Sequence, residues 1–368
     1  MKEIKPNYDD CITNLACSIL KYFDVPYKHN TIGDIDNLLN EFKPKNVVVI
    51  LYDGMGYNLL NRILPDYSFL RNHCIRSISS VCPSTTTAST TSMLSGLNPC
   101  EHGWLGWDLY LKSENKIVTL FTNKLKDTDT YASKDSLATK YMPYKTLTEQ
   151  INESSPYSSS IVFPFGNHIV YKNIDDMMDK IVAECNKEGR RYIYVYYEDP
   201  DGIMHDTGTD SKETKDTFEL IDRKTKELCD RLEDTVVIVT ADHGHINSSG
   251  ILISDYKDFK DTLSSDVSIE ARFCSFKVKK EKKEEFERLF NLYFSKYFIL
   301  KTKEQIINEH YFGYGKEHYE FKRSLGDYCA LAISDKYFRY SEDSVNLKSM
   351  HAGLTEDEMR IPLILIKK

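Results

Sequence analysis

Aspartate and histidine residues recur in this sequence close after runs of apolar residues. The residues that do so are Asp53, Asp201, His205, Asp242 and His243. Carboxylates and imidazoles are side chains that hold borderline cations such as Zn²⁺. Continuous apolar runs are typical of strands buried in a parallel sheet, which brings functional groups together at the carboxyl ends of its strands. The pattern predicts a metal centre at that edge, although Asp53 alone would fit an ordinary Asp-Gly turn.

A hydroxyl-rich tract at residues 81–103, VCPSTTTASTTSMLSGLNPCEHG, offers a different chemistry. Its apolar residues Ala88, Met93 and Leu94 indicate that a helix begins among the threonines. Backbone N–H groups and the helix dipole stabilise an anion at such an N-terminus. The same field favours a threonine alkoxide and the phosphate that it attacks, so the tract predicts a nucleophilic hydroxyl.

A late histidine, His351 in SMHAGL, is the remaining candidate, although a lone histidine is more often an ordinary surface or core residue. Together the candidates supply three carboxylates, three imidazoles and one hydroxyl. Two cations such as Zn²⁺, each with three or so protein ligands and open positions, require about that set. The sequence therefore predicts a pair of metals that clamps the attacking and leaving oxygens of an in-line displacement.

The elements that must position these residues alternate between strands and helices. Apolar spacing of three and four residues predicts an amphipathic helix at 8–23 and another at Ser211–Glu233. Strands are predicted at the apolar runs Val47–Tyr52, Tyr192–Tyr197, Val236–Thr240 and Leu363–Ile366. A strand, a helix and a strand at this spacing indicate a βαβ unit and hence an α/β sheet.

The segment 251–335 differs in character from the rest of the chain. It predicts a strand at Ala271–Val278, a charged helix with an aromatic face around Phe286, a short helix near 303–309 and a strand near Tyr328–Ser334. We therefore predict a catalytic core made of 1–250 plus 336–368. The segment 251–335 is predicted to be a smaller α+β insertion that closes over the sheet as a cap and sets specificity, with a plain stabilising appendage as the alternative.

Composition excludes several classes of protein. The chain has 368 residues, of which 41% are hydrophobic, and a formal net charge of −8. A large core is therefore possible, and a surface built to bind a nucleic-acid polymer is not expected. The nine scattered cysteines, the charged N-terminal start and the absence of any run of 18 apolar residues predict reduced thiols, no membrane partner and a cytoplasmic location. The sequence carries no signal of oligomeric state.

Five motifs, taken in order, resemble those of the type I phosphodiesterase/nucleotide pyrophosphatase family in the alkaline phosphatase superfamily. They are the Asp-Gly after the first strand, the Pro-Ser-Thr-Thr…Gly-Leu-x-Pro-x-x-His-Gly stretch, the DxxxH, the ADHG and the late histidine. The resemblance covers about 45–250 and 340–368. It implies an alkaline-phosphatase-like, mostly parallel sheet flanked by helices, and an enzyme that hydrolyses phosphodiester or pyrophosphate bonds in a small-molecule diester or nucleotide.

The resemblance also implies roles for individual residues. Thr86 matches the family nucleophile, which forms a covalent phosphothreonine. Together with the Thr86 hydroxyl, one metal would be bound by Asp53, Asp242 and His243, and the other metal by Asp201, His205 and His351. In the family both metals are usually zinc, and Mn²⁺ is an alternative.

Four further positions complete the comparison with the family. Trp107 stands where nucleotide pyrophosphatases have a phosphate-contacting Asn, and Met204 replaces the usual Gly of DxxGH. His102 matches a position that is structural in the family. His245, an additional histidine beside ADHG, is predicted to be a surface residue.

Other functions stay open at this point. A sulfatase is disfavoured because Cys82 lies four residues before the nucleophile position and no Arg follows it. A phosphomonoesterase or phosphomutase of the same superfamily would have similar ligands, a phosphonate hydrolase is less favoured, and a non-catalytic binding protein is the alternative of a different class. Since residues 81–103 contain no Arg or Lys to neutralise a monoester dianion, diesters are the predicted substrates unless Arg272 or Arg323 supplies that charge.

Overall fold

The computed structural model describes residues 3–340 and 346–368. Its strands are β1 (Asn46–Tyr52), β2 (Cys74–Ser79), β3 (Asp108–Leu111), β4 (Lys116–Thr119), β5 (Lys124–Leu125), β6 (Ser158–Phe163), β7 (Ile169–Val170), β8 (Arg191–Tyr197), β9 (Thr235–Thr240), β10 (Ile246–Asn247), β11 (Ser249–Leu252), β12 (Ser268–Ile269), β13 (Phe273–Phe276), β14 (Phe298–Thr302), β15 (Tyr328–Ala332), β16 (Lys336–Arg339), β17 (Ser349–Met350) and β18 (Arg360–Lys367).

The α-helices alternate with these strands. They are α1 (Ile12–Tyr22), α2 (Gly33–Phe42), α3 (Tyr57–Ile63), α4 (Phe69–His73), α5 (Thr86–Ser95), α6 (Pro99–His102), α7 (Leu137–Tyr141), α8 (Leu147–Ser154), α9 (Ile174–Cys185), α10 (Asp201–Thr207), α11 (Lys212–Cys229), α12 (Lys257–Lys260), α13 (Lys283–Tyr293), α14 (Lys303–Asn308), α15 (Phe321–Ser324) and α16 (Glu356–Met359). Short 3₁₀ turns lie at Ile253–Asp255 and Lys280–Lys282.

The main sheet has the strand order β2-β18-β9-β1-β8-β6-β7. Strand β1 lies at its centre and pairs in parallel with β8 on one side and β9 on the other. All residues of β1 and β9 are buried, which is why these strands read as unbroken apolar runs. The predicted α/β class and the mostly parallel sheet are confirmed.

The last strand differs from the others in direction. Strand β18 runs antiparallel to both β9 and β2, although its apolar run resembles those of the parallel strands. The chain enters β18 directly from the short helix α16, without the helical crossover that a parallel return requires. An apolar run shows that a strand is buried, but it does not show which way the strand points.

Helices flank the main sheet in two groups. In one group α1, α5 and α8 pack on one another, and in the other α3, α4 and α9 pack around α11. The helix predicted at Ser211–Glu233 is confirmed as α11, which begins after Ser211 because that hydroxyl accepts a hydrogen bond from the Thr214 N–H at 3.0 Å.

A second sheet, with the order β14-β15-β13-β12-β3-β4-β5, is antiparallel. It combines strands from the segment 251–335 with β3, β4 and β5, which come from residues 108–125 and were not assigned from the sequence. The join is a single pairing of Ile269 with Asp108. Gly106 permits the close approach, since a Cβ there would lie 2.8 Å from the Ile269 carbonyl oxygen.

Two small strand pairs link the sheets beside the carboxyl edge of the main sheet. Strand β10 pairs with β17, which sets Ile246 opposite Met350. Strand β11 pairs in parallel with β16. The nine cysteines all lie in the described residues and are free thiols. Within residues 3–340 and 346–368, no helix is both long and apolar enough to cross a membrane.

Candidate active site

The structure brings all seven predicted ligands together at the carboxyl edge of the main sheet. Asp53 follows β1, Asp242 and His243 follow β9, Asp201 opens α10, and His351 follows β17. Together with His245, which was not among the predicted ligands, they form two adjoining groups. The hydroxyl cluster consists of Asp53, Thr86, Asp242 and His243, and the histidine cluster consists of Asp201, His205, His245 and His351.

Thr86 lies at the centre of the hydroxyl cluster. Its Oγ1 is 3.3 Å from Asp53 Oδ2 and 3.2 Å from His243 Nε2. The same His243 nitrogen lies 3.3 Å from Asp53 Oδ1 and 3.5 Å from Asp242 Oδ2. A hydroxyl, two carboxylates and an imidazole therefore face one another across distances that a shared cation can bridge.

Thr86 is the first residue of α5, as the hydroxyl-rich tract predicts for one of its threonines. Thr85 precedes it in extended conformation, with φ −138° and ψ 150°, and α5 ends at Gly96, whose φ of 70° suits glycine. The backbone N–H groups of the first helical turn lack partners within the helix. They lie beside the Thr86 hydroxyl and favour an anion there.

The two carboxylates of the hydroxyl cluster are held by neighbouring groups. The Tyr196 hydroxyl donates to Asp53 Oδ2, while Asp242 Oδ1 accepts from the Gly54 N–H at 3.1 Å and the His243 N–H at 3.0 Å. Burial, followed by the charge of Asp201, raises the pKa of Asp53, and burial, followed by the charge of Asp53, raises the pKa of Asp242. Both carboxyls therefore resist ionisation until a positive charge arrives.

One atom of this cluster shows directly that a partner is needed. Asp242 Oδ2 is buried and accepts no hydrogen bond from the part of the chain that the structure describes. A buried carboxylate oxygen without a partner is costly, and a divalent cation would satisfy it. The donor set of the hydroxyl cluster thus fits a metal ion.

The histidine cluster is built around Asp201 Oδ1. The Nε2 atoms of His205, His245 and His351 lie 3.4, 2.5 and 3.8 Å from it. Burial opposes the ionisation of Asp201, yet the three histidines hold the pKa of its carboxyl well below the ordinary value. Asp201 and His205 reach the same centre because they lie one turn apart on α10.

The prediction that His245 is a surface residue is wrong. Its side chain is 0% exposed and contacts Asp201. His245 lies immediately before β10 and is buried, as is His243 two residues earlier. The turn depends on Gly244, where a Cβ would lie 1.9 Å from the Asp357 carbonyl oxygen.

His102 belongs to neither cluster. It is buried, its Nδ1 accepts the Trp104 N–H at 3.0 Å, and its Nε2 lies 3.1 Å from the Ser92 hydroxyl. Burial lowers the pKa of His102 to about 3, so the imidazole is neutral and holds the chain around α6 in place.

Met204, the departure from DxxGH, is buried. A Cβ added at Gly54 would lie 3.1 Å from the Met204 Cε, so the methionine packs on the Asp-Gly turn. Its carbonyl oxygen accepts a hydrogen bond from the Ser349 hydroxyl at 2.7 Å. Met204 thus packs against the turn that follows Asp53 and supplies no ligand atom to either cluster.

A cleft of about 430 Å³ opens above the clusters. Thr86, Asp201, His205 and His351 line one side of it. The opposite side is formed by 267–271 and 337–340, and Trp107 and Lys126 also line it. The second sheet therefore lies against the predicted ligands and is not a remote appendage.

Glu270 is the residue of this opposite side that sequence reasoning missed. Its Oε1 accepts the Thr85 hydroxyl at 2.6 Å and the Trp107 N–H at 2.7 Å. Burial raises the pKa of Glu270 to about 7. The preceding Ile269 has a φ of 80°, which is strained for a β-branched residue, and such strain concentrates at functional sites. The sequence around Glu270 carries no motif that could have revealed this contact.

The two arginines considered as phosphate clamps do not face the cleft. Arg272 is fully buried, and its guanidinium forms a bidentate pair with Glu358 at 2.6 and 2.8 Å. Arg323 lies on α15 beside the Tyr319 ring and does not line the cleft. Both are therefore unavailable to a phosphoryl group in this conformation.

Comparison with solved structures shows which proteins share this fold. Murine ectonucleotide pyrophosphatase/phosphodiesterase 5 has a TM-score of 0.68 at 18% identity, over 88% of each chain. The human protein of the same name gives 0.67 at 19% identity, over 87% of each chain. Phosphonoacetate hydrolase from Sinorhizobium meliloti gives 0.64 at 16% identity, over 88% of this chain and 90% of that one. These likenesses show a shared fold.

Sequence comparison identifies the family. A search of curated protein sequences found no match. A model of the type I phosphodiesterase/nucleotide pyrophosphatase family matches residues 47–349, from β1 to β17. Since that match spans most of the chain, the protein belongs to the type I phosphodiesterase/nucleotide pyrophosphatase family, within the alkaline phosphatase superfamily.

Proposed function

We propose that this hydrolase cleaves phosphodiester or pyrophosphate bonds of small molecules through a covalent intermediate on Thr86. The observation that carries the proposal is the position of the Thr86 hydroxyl. It lies at the N-terminus of α5, within 3.3 Å of Asp53 and 3.2 Å of His243. A threonine hydroxyl is a weak nucleophile unless neighbouring groups favour its alkoxide, and this position provides such groups.

The reaction has two steps. The Thr86 hydroxyl loses its proton as the Oγ1–phosphorus bond forms and the bond from phosphorus to the leaving oxygen breaks, and the leaving group takes up a proton. Water then attacks the phosphothreonine, which frees Thr86 and releases a phosphate monoester. The N–H groups at the start of α5 stabilise the charge on the phosphoryl oxygens in both steps.

Two divalent cations complete the proposed site. Asp53, Thr86, Asp242 and His243 would hold one of them, and Asp201, His205 and His351 the other. The mixture of imidazole and carboxylate donors favours Zn²⁺, with Mn²⁺ as an alternative. When bound, the cations neutralise phosphoryl charge and lower the cost of the threonine alkoxide. Elemental analysis of the purified protein should find close to two transition metals per chain.

Neither Arg272 nor Arg323 can act as the clamp for a monoester dianion, which supports diesters, whereas Arg339 lines the cleft. Arg272 is paired with Glu358, so the extra charge of a monoester dianion has no guanidinium partner from that residue. Trp107 lines the cleft and is 44% exposed, which leaves it available to a flat leaving group. An inactive threonine-to-alanine variant of the murine relative was solved in complex with AMP, which agrees with a nucleotide-sized substrate.

Lys126 favours a second candidate function. It lines the cleft, and its Nζ lies 3.5 Å from Asp108 and 3.9 Å from Asp127. A lysine at this position could bind an additional negative charge on a phosphate monoester or a phosphonate. The phosphonoacetate complex of the bacterial relative keeps a phosphonate substrate in consideration.

The second sheet is proposed to set specificity. Glu270 joins it to Thr85, next to the nucleophile, and to the backbone of Trp107. The side of the cleft formed by 267–271 and 337–340 faces the place where a leaving group would lie. Different residues on this side of the cleft would then select a different substrate, while the metal ligands stay the same.

A turnover screen tests the proposal. Matched nitrophenyl monoester and diester substrates, a dinucleotide pyrophosphate, a sulfate ester and phosphonoacetate are compared with Zn²⁺ or Mn²⁺ present. We expect the highest kcat/KM with a diester or pyrophosphate, and a phosphothreonine at residue 86 after rapid acid quench and mass spectrometry. A clear preference for monoesters or phosphonates would support the second candidate, and no turnover of any substrate by metal-loaded protein would contradict both.

A further inference from the structure

We propose that His245 is a fourth protein ligand of the metal held by Asp201, so that this position is formed by three imidazoles and one carboxylate. The inference rests on the proposed two-metal function and adds a residue to it. The family ligand set found by resemblance contains Asp201, His205 and His351 and does not include His245.

The hydrogen bonds of His245 determine which of its nitrogens carries the proton. Ser349 Oγ donates its single hydrogen to the Met204 carbonyl oxygen at 2.7 Å. The same oxygen lies 3.0 Å from His245 Nδ1, and it has no second hydrogen to give. His245 Nδ1 must therefore be the donor, which leaves the lone pair of the neutral ring on Nε2.

That lone pair faces a carboxylate. His245 Nε2 lies 2.5 Å from Asp201 Oδ1, and the His245 side chain is fully buried. Two acceptor atoms at this distance repel each other unless a positive charge lies at the contact. A metal ion bound by both atoms would supply that charge.

The other two histidines of the cluster are fixed in the same way. His205 Nδ1 lies 2.8 Å from the Ser349 carbonyl oxygen, and His351 Nδ1 lies 3.2 Å from the Ser84 carbonyl oxygen. A carbonyl oxygen can only accept, so each Nδ1 donates, and each Nε2 lies within 3.8 Å of Asp201 Oδ1. Oxygen partners on the outer nitrogen are typical of histidines that bind metals.

The fold places His245 beside these residues for a local reason. Gly244 packs against Gly56 and the Asp357 carbonyl, and β10 then pairs with β17. This pairing sets Ile246 opposite Met350, so His245 and His351 lie side by side, with ring centres 5.1 Å apart. The result is a set of one oxygen and three nitrogen donors within 4.8 Å of one another, all of them ligand types that Zn²⁺ takes.

The first experiment measures metal affinity in the full chain. Metal-free wild type, His245→Gln and His245→Ala are titrated with Zn²⁺ against a chromophoric chelator. Loss of an outer-shell partner costs about 10–100-fold in affinity, so loss of a ligand should weaken one of the two sites by more than about 100-fold. His73→Gln, a change at the end of α4 outside both clusters, should leave both affinities unchanged. Circular dichroism of the metal-free proteins checks their folding.

The glutamine variant separates ligation from hydrogen bonding. Its amide can still donate to Asp201 but provides no imidazole. Wild-type affinity at both sites in His245→Gln would overturn the inference, because His245 would then act only as a hydrogen-bond partner. If wild type itself binds no metal, the proposed function fails instead, so the two failures are distinguishable.

A second measurement needs no variant. In Co²⁺-loaded wild type, each ligating histidine with a protonated Nδ1 gives a paramagnetically shifted, exchangeable N–H resonance in the proton spectrum. We expect four such resonances, from His205, His243, His245 and His351. Three resonances would exclude His245 as a ligand even if its variants do not fold.

Discussion

The two clusters at the carboxyl edge of the main sheet differ in the charge that they supply themselves. In the hydroxyl cluster, Asp53 and Asp242 face only one imidazole, and burial raises the pKa of both carboxyls. In the histidine cluster, three imidazoles surround Asp201 and lower the pKa of its carboxyl. The first cluster thus depends on an added cation more than the second, and it is also the one that contains the nucleophilic hydroxyl.

This difference in charge indicates that the two clusters have different roles. A cluster with unsatisfied carboxylate charge binds a cation and a developing alkoxide in the same place, whereas the carboxylate of the other cluster is already surrounded by three imidazoles. Four sets of variants test this difference between the clusters and the contacts around them.

Replacing the nucleophile should have the largest effect. Thr86→Ala removes the hydroxyl from the hydroxyl cluster, and kcat should fall by about 10³-fold or more because no covalent intermediate can form. Thr86→Ser keeps a hydroxyl and serves as the matched control. Steady-state kinetics and metal content are measured together. Substantial turnover by Thr86→Ala would move the nucleophile elsewhere, with Thr85 and Thr87 the nearest candidates.

Neutralising one carboxylate in each cluster should change the stability of the metal-free protein in opposite directions. Asp242→Asn keeps an oxygen for the Gly54 and His243 N–H groups and relieves repulsion with Asp53, so it should stabilise by on the order of 2 kcal/mol. Asp201→Asn removes the charge that the three histidines face and should destabilise by a similar amount.

Urea unfolding after chelation measures both variants against wild type. Each variant should also weaken binding of the metal at its own cluster. The same sign of stability change in both variants would show that the two clusters do not differ in the way described.

Releasing the contact between Glu270 and Thr85, the residue before the nucleophile, should have a smaller effect on kcat/KM. Both hydrogen bonds to Glu270 end on Oε1, so Glu270→Gln can keep them, whereas Glu270→Ala loses both. We expect kcat/KM to fall about 10-fold in the alanine variant, the size of one or two hydrogen bonds. The glutamine variant should stay within a few-fold of wild type. Equal losses of kcat/KM in the two variants would mean that the ionisable carboxyl group of Glu270 matters more than its hydrogen bonds to Thr85 and Trp107.

His102 provides a buried histidine outside both clusters. Its folded pKa of about 3 lies below the ordinary value of 6.5, so below pH 6.5 the unfolded chain binds a proton that the folded protein does not. Stability is therefore lost as pH falls, by about 1.4 kcal/mol between pH 7.5 and 5.5. His102→Gln should lose that much less on the same acidification, measured by urea unfolding of metal-free protein. Parallel pH profiles would contradict a neutral His102.

Much of the fold follows from local pattern. The apolar runs of β1, β8 and β9 predict buried parallel strands, and the spacing of apolar residues predicts α1 and α11 within a few residues of their ends. These predictions succeed because a strand buried on both faces, or a helix buried along one side, requires apolar residues at regular spacing in the local sequence.

Other parts of the fold, namely strand direction and strand pairing, cannot be predicted from local sequence patterns. The antiparallel direction of β18 depends on how the chain arrives, and the membership of β3, β4 and β5 in the second sheet depends on a partner more than 100 residues away. The pattern of apolar and polar residues within a strand is the same whichever strand it pairs with. The pairing partner is therefore decided by the packing of the whole chain.

The candidate site divides in the same way. Local sequence pattern predicts which side chains follow the central strands, and these meet because the carboxyl ends of parallel strands lie at one edge of the sheet. The folded chain was needed to show that His245 lies beside Asp201, that Glu270 contacts Thr85, and that Arg272 pairs with Glu358. Each of these contacts joins residues far apart in the chain, and their side chains meet only when the second sheet and the strand pair β10–β17 close against the main sheet.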